Sequence, residues 1–205
     1  MRRLLLSLAF IVATAGFAVA QGQPDAAKPA RAVATFAGGC FWCVEADFDK
    51  VSGVLETISG YTGGHTVNPT YRQVSAGGTG HAEAVQVVYD PDKVSYAQLL
   101  DVFWRHVDPT VENRQFCDVG DEYRTAVFVK GAEERQLAEA SKKKVAATLG
   151  KHVYTRIADA GPFYKAEDYH QDFYKKNELK YKFYRWNCGR DQRIEQLWGA
   201  HKGDT

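Results

Sequence analysis

A cysteine-containing hexapeptide near the start of the chain holds the residues best suited to chemistry. It runs Gly38-Gly39-Cys40-Phe41-Trp42-Cys43, and the apolar residues Phe41, Val44 and Phe48 follow at helical spacing, which predicts a helix that begins at about Cys40. The unpaired N–H groups and the positive dipole end at a helix start favour a thiolate over a thiol. Two glycines permit a tight turn and leave the sulfur approachable. The pattern therefore indicates a reactive cysteine rather than one that only fills the core.

The spacing of Cys40 and Cys43 also fits other chemistries. A C-x-x-C pair is typical of thiol–disulfide oxidoreductases. It is also half of a structural zinc site, but the two remaining cysteines, Cys117 and Cys188, do not form the second close pair that such sites use. Four cysteines are too sparse for a disulfide-dependent scaffold in a chain of 205 residues. A structural domain whose cysteines are locked as disulfides is the non-enzymatic alternative.

Candidate acids and hydrogen-bond donors lie further along the chain. Glu83 stands where a strand begins, in Gly80-His81-Ala82-Glu83, and a glutamate there ordinarily lies on the solvent face. If it is buried, its pKa rises and it holds a proton near neutral pH, as a general acid must. Tyr71 and Tyr123 stand in loop contexts where phenols can donate hydrogen bonds, although the chain has eleven tyrosines and each alone is more often a packing residue.

Aromatic residues beside the hexapeptide have two interpretations. Phe41 and Trp42 suit either the core or the wall of an apolar substrate pocket. His170, in Tyr169-His170-Gln171, is by default a surface or capping histidine.

Hydrophobic spacing predicts the elements that must position these residues. Strands are expected at 33–36, 53–61, 83–89, 125–130 and 152–158, with long loops at 62–80 and 109–122. Helices are expected from about residue 40, after the cap Ser95, at 132–149 and at 166–177. The order β-α-β-β-α-β is that of the split βαβ arrangement. We therefore predict an α+β fold, a ferredoxin-like two-layer α/β sandwich with C-terminal additions.

The first twenty residues have the composition of an export signal. Arg2 and Arg3 precede an apolar stretch, and Ala18-Val19-Ala20 supplies a small-residue cleavage pattern. We predict a signal peptide at 1–20, a linker at 21–32, a catalytic domain at 33–199 and a tail at 200–205. The protein is expected to be exported and periplasmic. A secreted form and an uncleaved N-terminal anchor are the alternatives, and the apolar stretch is at the short limit for crossing a bilayer.

The net charge limits the kinds of partner. Loss of residues 1–20 removes two arginines and no acidic residue, which changes the formal charge from +1 to −1. A near-neutral chain without a basic block argues against nucleic acid or anionic membranes as the main partner. We expect a monomer.

An ordered series of short motifs resembles the peptide methionine sulfoxide reductase A family. The first motif is Gly39-Cys40-Phe41-Trp42, and the similarity runs from about residue 33 to about residue 177. The later motifs are Gly60-Tyr61-Thr62-Gly63-Gly64, Asn68-Pro69-Thr70-Tyr71, Gly80-His81-Ala82-Glu83, Asp108-Pro109-Thr110, Asp118 with Tyr123-Arg124, and Ala166-Glu167-Asp168-Tyr169-His170-Gln171. The resemblance implies an α/β domain of ferredoxin-like type that needs no metal and no bound organic cofactor.

The same resemblance implies a mechanism. The Cys40 thiolate would attack the sulfur of methionine sulfoxide, free or in proteins and of the S epimer, while Glu83 protonates the oxygen. The other implied roles are hydrogen bonds to that oxygen from Tyr71 and Tyr123, support of the polar side by Asp118, and enclosure of the methyl group by Phe41 and Trp42. The Cys40 sulfenic acid would condense with a second thiol, and a thioredoxin-like electron donor would reduce the resulting disulfide.

The chain departs from the family where that second thiol is concerned. Many members have glycine where Cys43 stands, and a small residue or asparagine where Cys117 stands. The Asn-Pro segment that usually precedes the C-terminal resolving cysteine is replaced by Asn177-Glu178-Leu179. We rank Cys188 first as the resolving residue, because we expect it in a mobile, glycine-containing tail. Cys43, one helical turn from the nucleophile, is the close rival, and Cys117 is third.

Overall fold

The computed structural model describes residues 31–199. The predicted export signal, all but the last two residues of the predicted linker, and the predicted tail lie outside this range. Within it, no helix is both long and apolar enough to cross a membrane. The strands of this part of the chain are β1 (Ala32–Gly38), β2 (Val54–Thr62), β3 (Ala82–Tyr89), β4 (Arg114–Gln115), β5 (Asp118–Val119), β6 (Thr125–Val129), β7 (Arg156–Asp159) and β8 (Phe163–Lys165).

Helices alternate with these strands and then end the described chain. They are α1 (Phe41–Phe48), α2 (Tyr71–Ser75), α3 (Tyr96–Arg105), α4 (Gly131–Leu149), α5 (Phe173–Lys176), α6 (Glu178–Asn187) and α7 (Arg190–Trp198), with a 3₁₀ turn at Asp121–Tyr123. Two predicted boundaries are confirmed by their caps. Ser95 and Gln98 form a reciprocal capping box at the start of α3, and Gly150 ends α4 in the left-handed conformation.

One mixed sheet carries most of the strands. Its order is β7-β6-β1-β3-β2-β8, and every neighbouring pair is antiparallel except β6 and β7. A separate hairpin pairs β4 with β5. The predicted combination of helices with a largely antiparallel sheet is confirmed. The register places Glu83 of β3 opposite Tyr61 of β2, in the middle of the sheet.

A stack of aromatic rings fixes α1 and α3 against the sheet. Phe36 of β1 is fully buried, and its ring stacks on Phe48 of α1 at 5.0 Å and on Phe103 of α3 at 5.3 Å between centroids. Trp104 extends the contact to α4, because its indole N–H donates a 2.9 Å hydrogen bond to Ser141. Offset aromatic pairs add to the free energy gained from area burial alone. The first turn of α1, which carries the hexapeptide, therefore starts from a rigid base.

The prediction of a helix at 166–177 is wrong. Only Phe173–Lys176 is helical there, and Phe163–Lys165 forms the edge strand β8. The Gln171 side chain explains the difference, because it accepts a hydrogen bond from the Ser59 backbone N–H at 3.0 Å and donates to the Ser59 carbonyl at 2.9 Å. Asp172 then adopts a φ of 53°, which interrupts any helix. Tertiary contacts with β2 thus override the local helical pattern.

Two predicted loops contain short elements. Residues 62–80 include α2, which a capping box between Thr70 and Gln73 starts. Residues 109–122 include the β4–β5 hairpin. Both elements are too short to produce a periodic pattern in the sequence.

Candidate active site

A close backbone approach brings the β4–β5 hairpin to the start of α1. Gly39 has a φ of 81°, and a Cβ at this position would lie 2.4 Å from Cβ of Gln115, so only glycine fits. The buried amide of Gln115 is held in turn by the backbone of Asp108, which donates to its oxygen at 2.9 Å and accepts from its nitrogen at 2.7 Å. The hairpin therefore packs directly against the turn that presents Cys40.

Cys40 caps the N-terminus of α1 and is only 6% exposed. Burial raises the pKa of its thiol well above the ordinary value, and a hydrogen bond with Cys43 raises it further. The expectation that the helix start makes Cys40 a thiolate is thus not met at rest, since loss of hydration outweighs the dipole. At rest Cys40 is therefore a protonated thiol, which would have to lose its proton before it could attack a substrate.

Glu83 is buried against the first turn of α1 rather than placed on a solvent face. It is 2% exposed, and Oε2 accepts a 3.0 Å hydrogen bond from the backbone N–H of Phe41. Burial raises the pKa of Glu83 to about 8, against the lowering effect of the Phe41 N–H, and the nearby Asp118 raises it as well. At pH 7 the group is mainly a neutral carboxylic acid, which is the form that a general acid requires.

Tyr71 and Tyr123 lie close to this acid. Burial raises the pKa of Tyr71 to about 12, with further contributions from Glu83 and Cys40. Burial also raises the pKa of Tyr123, and Glu83 and Tyr71 add to the increase. The structure thus gathers both phenols, the acid and the nucleophile in one region. Each phenol keeps its proton and can donate it in a hydrogen bond.

An aromatic group forms the apolar side of the site. The Trp42 ring stacks on Phe173 at 3.7 Å, and its N–H donates to Nδ1 of His170 at 3.1 Å. The Phe41 ring lies 4.9 Å from the same imidazole. His170 is fully buried, so the prediction of a surface or capping histidine is wrong. Burial lowers the pKa of His170, so the ring is neutral. Its Nδ1 accepts the hydrogen bond from Trp42 and thereby orients the indole.

Asp118 meets a tyrosine that the sequence did not single out. The Tyr184 hydroxyl, on α6, donates a 2.5 Å hydrogen bond to Oδ2 of Asp118. Burial raises the pKa of Asp118, while Tyr184 and the charge of Arg190 lower it. Hydrogen bonding from Tyr184 lowers the pKa of the Cys40 thiol, against the larger effect of burial. Tyr184 lies beyond the last recognised motif, so its position among eleven tyrosines gave no signal.

The four cysteines fall into two pairs. Cys117 and Cys188 form a disulfide, whereas Cys40 and Cys43 are free and buried. A zinc site built from all four thiolates is therefore not formed. The prediction that Cys188 lies in a mobile tail is wrong, because Cys188 is the C-cap residue of α6, just before α7. Arg190 fixes this segment, because its buried guanidinium donates to backbone carbonyls on two other elements.

Cys43 is the thiol that is hydrogen-bonded to Cys40. The pKa of Cys43 is lowered, first by the hydrogen bond with Cys40 and then by the positive charges of Arg190 and Arg185, against the effect of burial. The structure thus pairs Cys188, which we ranked first as the resolving residue, with Cys117, which we ranked third. It places Cys43, which we ranked second, beside Cys40.

Comparisons with known proteins agree with this geometry. The family profile described as Peptide methionine sulfoxide reductase matches residues 32–202. Peptide methionine sulfoxide reductase MsrA 2 of Caulobacter vibrioides is 50% identical over 201 residues, which cover 98% of this chain and 100% of that protein. The MsrA 2 protein of Rhizobium meliloti is 52% identical over 175 residues, covering 83% of this chain and 87% of its own.

Solved structures show the same likeness. Mxr1 from Saccharomyces cerevisiae in reduced form has a TM-score of 0.70 and 31% identity, and the match covers 76% of this chain and 90% of that one. Methionine sulfoxide reductase A of Corynebacterium diphtheriae has a TM-score of 0.66 and 35% identity, with 77% and 78% covered. This chain therefore belongs to the peptide methionine sulfoxide reductase family, the oxidoreductases that its motifs resemble.

Proposed function

We propose that this enzyme reduces the S epimer of methionine sulfoxide, free or within peptides, by attack of Cys40 on the sulfoxide sulfur. One observation carries the proposal. The neutral Glu83 acid is hydrogen-bonded to the N–H of Phe41, the residue directly after the nucleophile. Sulfoxide oxygen is a poor leaving group until it is protonated, so a fixed acid beside a thiol suits this reaction.

The first step transfers one oxygen atom. The Cys40 sulfur loses its thiol proton and bonds to the sulfoxide sulfur, and Glu83 gives its proton to the oxygen. In net terms the proton that Cys40 loses replaces the one that Glu83 gives up, so the acid is restored over the turnover. The oxygen then moves to Cys40, which leaves a sulfenic acid on the enzyme and releases methionine. Tyr71 and Tyr123 donate hydrogen bonds to the oxygen. The rings of Phe41 and Trp42 enclose the substrate methyl group, which water solvates poorly.

We infer that Cys43 resolves the sulfenic acid, ahead of Cys188. The contact with Cys40 and the lowered pKa of Cys43 support this order, as does the engagement of Cys188 with Cys117. Attack of the Cys43 sulfur on the Cys40 sulfenic acid forms a disulfide and releases water. A thioredoxin-like dithiol then reduces that bond and becomes a disulfide itself. Yeast Mxr1, which this chain resembles, has been solved in complex with Trx2.

We also propose that the sheet has a ferredoxin-like core. The strand order β6-β1-β3-β2 and its antiparallel pairings support a ferredoxin-like core.

The composition of residues 1–20 supports export, with a periplasmic location. The mature N-terminus is then Gln21, which N-terminal sequencing of native material tests. The near-neutral charge argues against nucleic acid as a partner, and we propose that the protein is a monomer.

One assay tests the proposed activity against its alternatives. The full-length enzyme is incubated with each sulfoxide epimer of a blocked methionine, with dithiothreitol as the donor. We expect reduction of the S epimer only. Reduction of insulin without reduction of either sulfoxide would instead identify a thiol–disulfide oxidoreductase. A Cys40 that no thiol reagent modifies after mild reduction would identify a structural domain.

A further inference from the structure

Arg190, the first residue of α7, is a buried cation that contacts four other elements. It is 2% exposed. Its Nη2 donates hydrogen bonds to the backbone carbonyls of Gly38, at 3.3 Å, and His106, at 2.8 Å. The guanidinium carbon lies 4.5 Å from the centre of the Phe116 ring, and Nε lies 3.9 Å from Oδ2 of Asp47. These partners belong to β1, the end of α3, the β4–β5 hairpin and α1.

Stability alone does not account for a guanidinium in this place. Asp47 is already paired with Arg185 at 2.8 Å, and its distance to Arg190 is too long for a hydrogen bond. The desolvation of a buried charge is costly, and the ion pairs that it forms often do not compensate for that cost. What the planar guanidinium provides is direction, because it holds several partners at once in one geometry.

The Gly38 carbonyl is the contact that reaches the nucleophile. Gly38 lies two residues before Cys40, and the N–H of Phe41, one residue after it, is held by Glu83 at 3.0 Å. The backbone is therefore fixed on both sides of Cys40, by Arg190 before it and by the acid after it. Loss of the Gly38 contact would allow the sulfur to shift relative to the Glu83 carboxyl group.

We propose that Arg190 is a positioning residue, which holds the turn before Cys40 so that the sulfur keeps the distance from Glu83 that oxygen transfer requires. This inference rests on the proposed sulfoxide reductase chemistry. Arg190 contacts neither the substrate nor the reacting atoms in this role, and no proton moves through it. It acts through the Gly38 peptide group.

Substrate binding should be independent of this contact. The Trp42 ring, which encloses the substrate methyl group in the proposed reaction, is held by stacking on Phe173 at 3.7 Å and by its hydrogen bond to His170. Both partners lie outside the turn that Arg190 holds. Loss of Arg190 should therefore lower the rate of the chemical step and leave the affinity for the substrate unchanged.

Arg190→Lys is the direct test, because lysine keeps the charge but has neither the planar fork nor a face that stacks on a ring. The full-length enzyme, in excess over the S epimer, is followed through one turnover without reductant at several enzyme concentrations. We expect the maximal rate of methionine formation to fall by about 10²-fold, the loss that a misplacement of about 1 Å can cause. The half-saturating concentration should not change. Circular dichroism and a thermal melt check that the variant folds.

Arg193→Lys is the matched control. Arg193 lies on the same helix, and its Nε donates a 2.7 Å hydrogen bond to Oδ2 of Asp108. The substitution therefore weakens an ion pair of α7 without removing the contact with Gly38. We expect its maximal rate to stay within about twofold of wild type, because surface-accessible ion pairs of this kind contribute little.

A second substitution separates position from charge. The positive charge of Arg190 also lowers the pKa values of Cys43 and Asp118, and lysine would preserve that effect. Arg190→Met removes the charge and fills the same space with an unbranched side chain. A positioning role predicts that the lysine and methionine variants are equally slow. A lysine variant close to wild type beside a slow methionine variant would show that the charge alone matters, and would overturn the proposal.

Two other results would overturn it as well. One is a folded Arg190→Lys enzyme whose only change is a higher half-saturating concentration, and the other is an equal loss of rate in Arg193→Lys. If Arg190→Lys does not fold, Phe116→Leu removes the ring on which the guanidinium stacks. Its maximal rate should fall by about fivefold, which corresponds to the loss of a cation–π contact, and an unchanged rate would contradict the proposal. Reduction of the S epimer by the wild-type enzyme tests the underlying activity separately.

Discussion

The backbone N–H of Phe41 donates a 3.0 Å hydrogen bond to Oε2 of Glu83. Phe41 directly follows Cys40, so the acid is fixed to the same peptide segment that carries the nucleophile. α1 is held against the sheet by aromatic packing, and Glu83 belongs to the central strand β3. The backbone of α1 therefore holds the Glu83 carboxyl group in a fixed position relative to Cys40. A fixed position of this kind is the condition for preorganised catalysis.

Glu83→Gln should slow sulfenic acid formation by roughly 10²–10⁴, the usual contribution of general acid catalysis. The amide keeps the shape but has no transferable proton. In the wild-type enzyme the acid form exists below its pKa of about 8, so the single-turnover rate should fall as pH rises through 8. Rapid-quench measurement of methionine gives both rates. A variant as fast as wild type between pH 5 and 8 would exclude Glu83 as the donor.

Glu45→Gln should change the pH dependence of stability and leave the pH profile of the reaction unchanged. Glu45 is buried in α1, and burial raises its pKa from 4.5 to about 7. A folded-state pKa above the unfolded value gives stability that is present below pH 4.5 and lost as pH rises through 7. Over that window the free energy of unfolding of wild type should fall relative to the variant by on the order of 3 kcal/mol. Urea titrations at several pH values measure it, and parallel curves would contradict the assignment.

Cys40→Ser should abolish turnover while the fold stays intact. A serine hydroxyl remains un-ionised in this buried position and attacks sulfur poorly. The sulfoxide assay measures the loss, and circular dichroism with a thermal melt checks folding. Activity above about a tenth of wild type would be incompatible with Cys40 as nucleophile, since loss of a covalent nucleophile costs orders of magnitude.

Peptide mapping after one turnover without reductant should recover a Cys40–Cys43 bridge. The bridge should still form in Cys188→Ser, because Cys43 already contacts the nucleophile. In Cys43→Ser the sulfenic acid should persist and react with dimedone. A Cys40–Cys188 bridge in the wild-type digest would restore the ranking that the sequence suggested.

The sequence correctly predicted those helix ends that are formed by residues close together in the chain. The start of α3 was predicted from the Ser95 cap, and the end of α4 was predicted from Gly150, because the residues that form each cap are neighbours in sequence. The helix predicted at 166–177 was wrong because Gln171 bonds to Ser59, a contact between residues far apart in the chain. No periodicity encodes such a contact.

The same distinction applies to the site. Cys40 and Glu83 were predicted as site residues because each lies in a short motif. The burial of Glu83 raises its pKa and keeps it protonated at pH 7. This burial depends on the whole sheet, so it could not be predicted from the sequence. Tyr184 was missed, since its partner Asp118 lies on a distant hairpin. The pairing of Cys117 with Cys188 could not be deduced either, because four cysteines allow three connectivities.

The Cys117–Cys188 bond closes a covalent ring across a sequence separation of 71 residues. That ring contains both edge strands of the sheet, β7 and β8, while the central strands β1, β2 and β3 lie outside it. In chain-entropy terms, closure of a ring this large removes freedom from the unfolded ensemble and stabilises the folded state by about 4 kcal/mol. A reducing compartment would remove that contribution, so the redox state of the surroundings sets the stability of the enzyme as well as its supply of electrons.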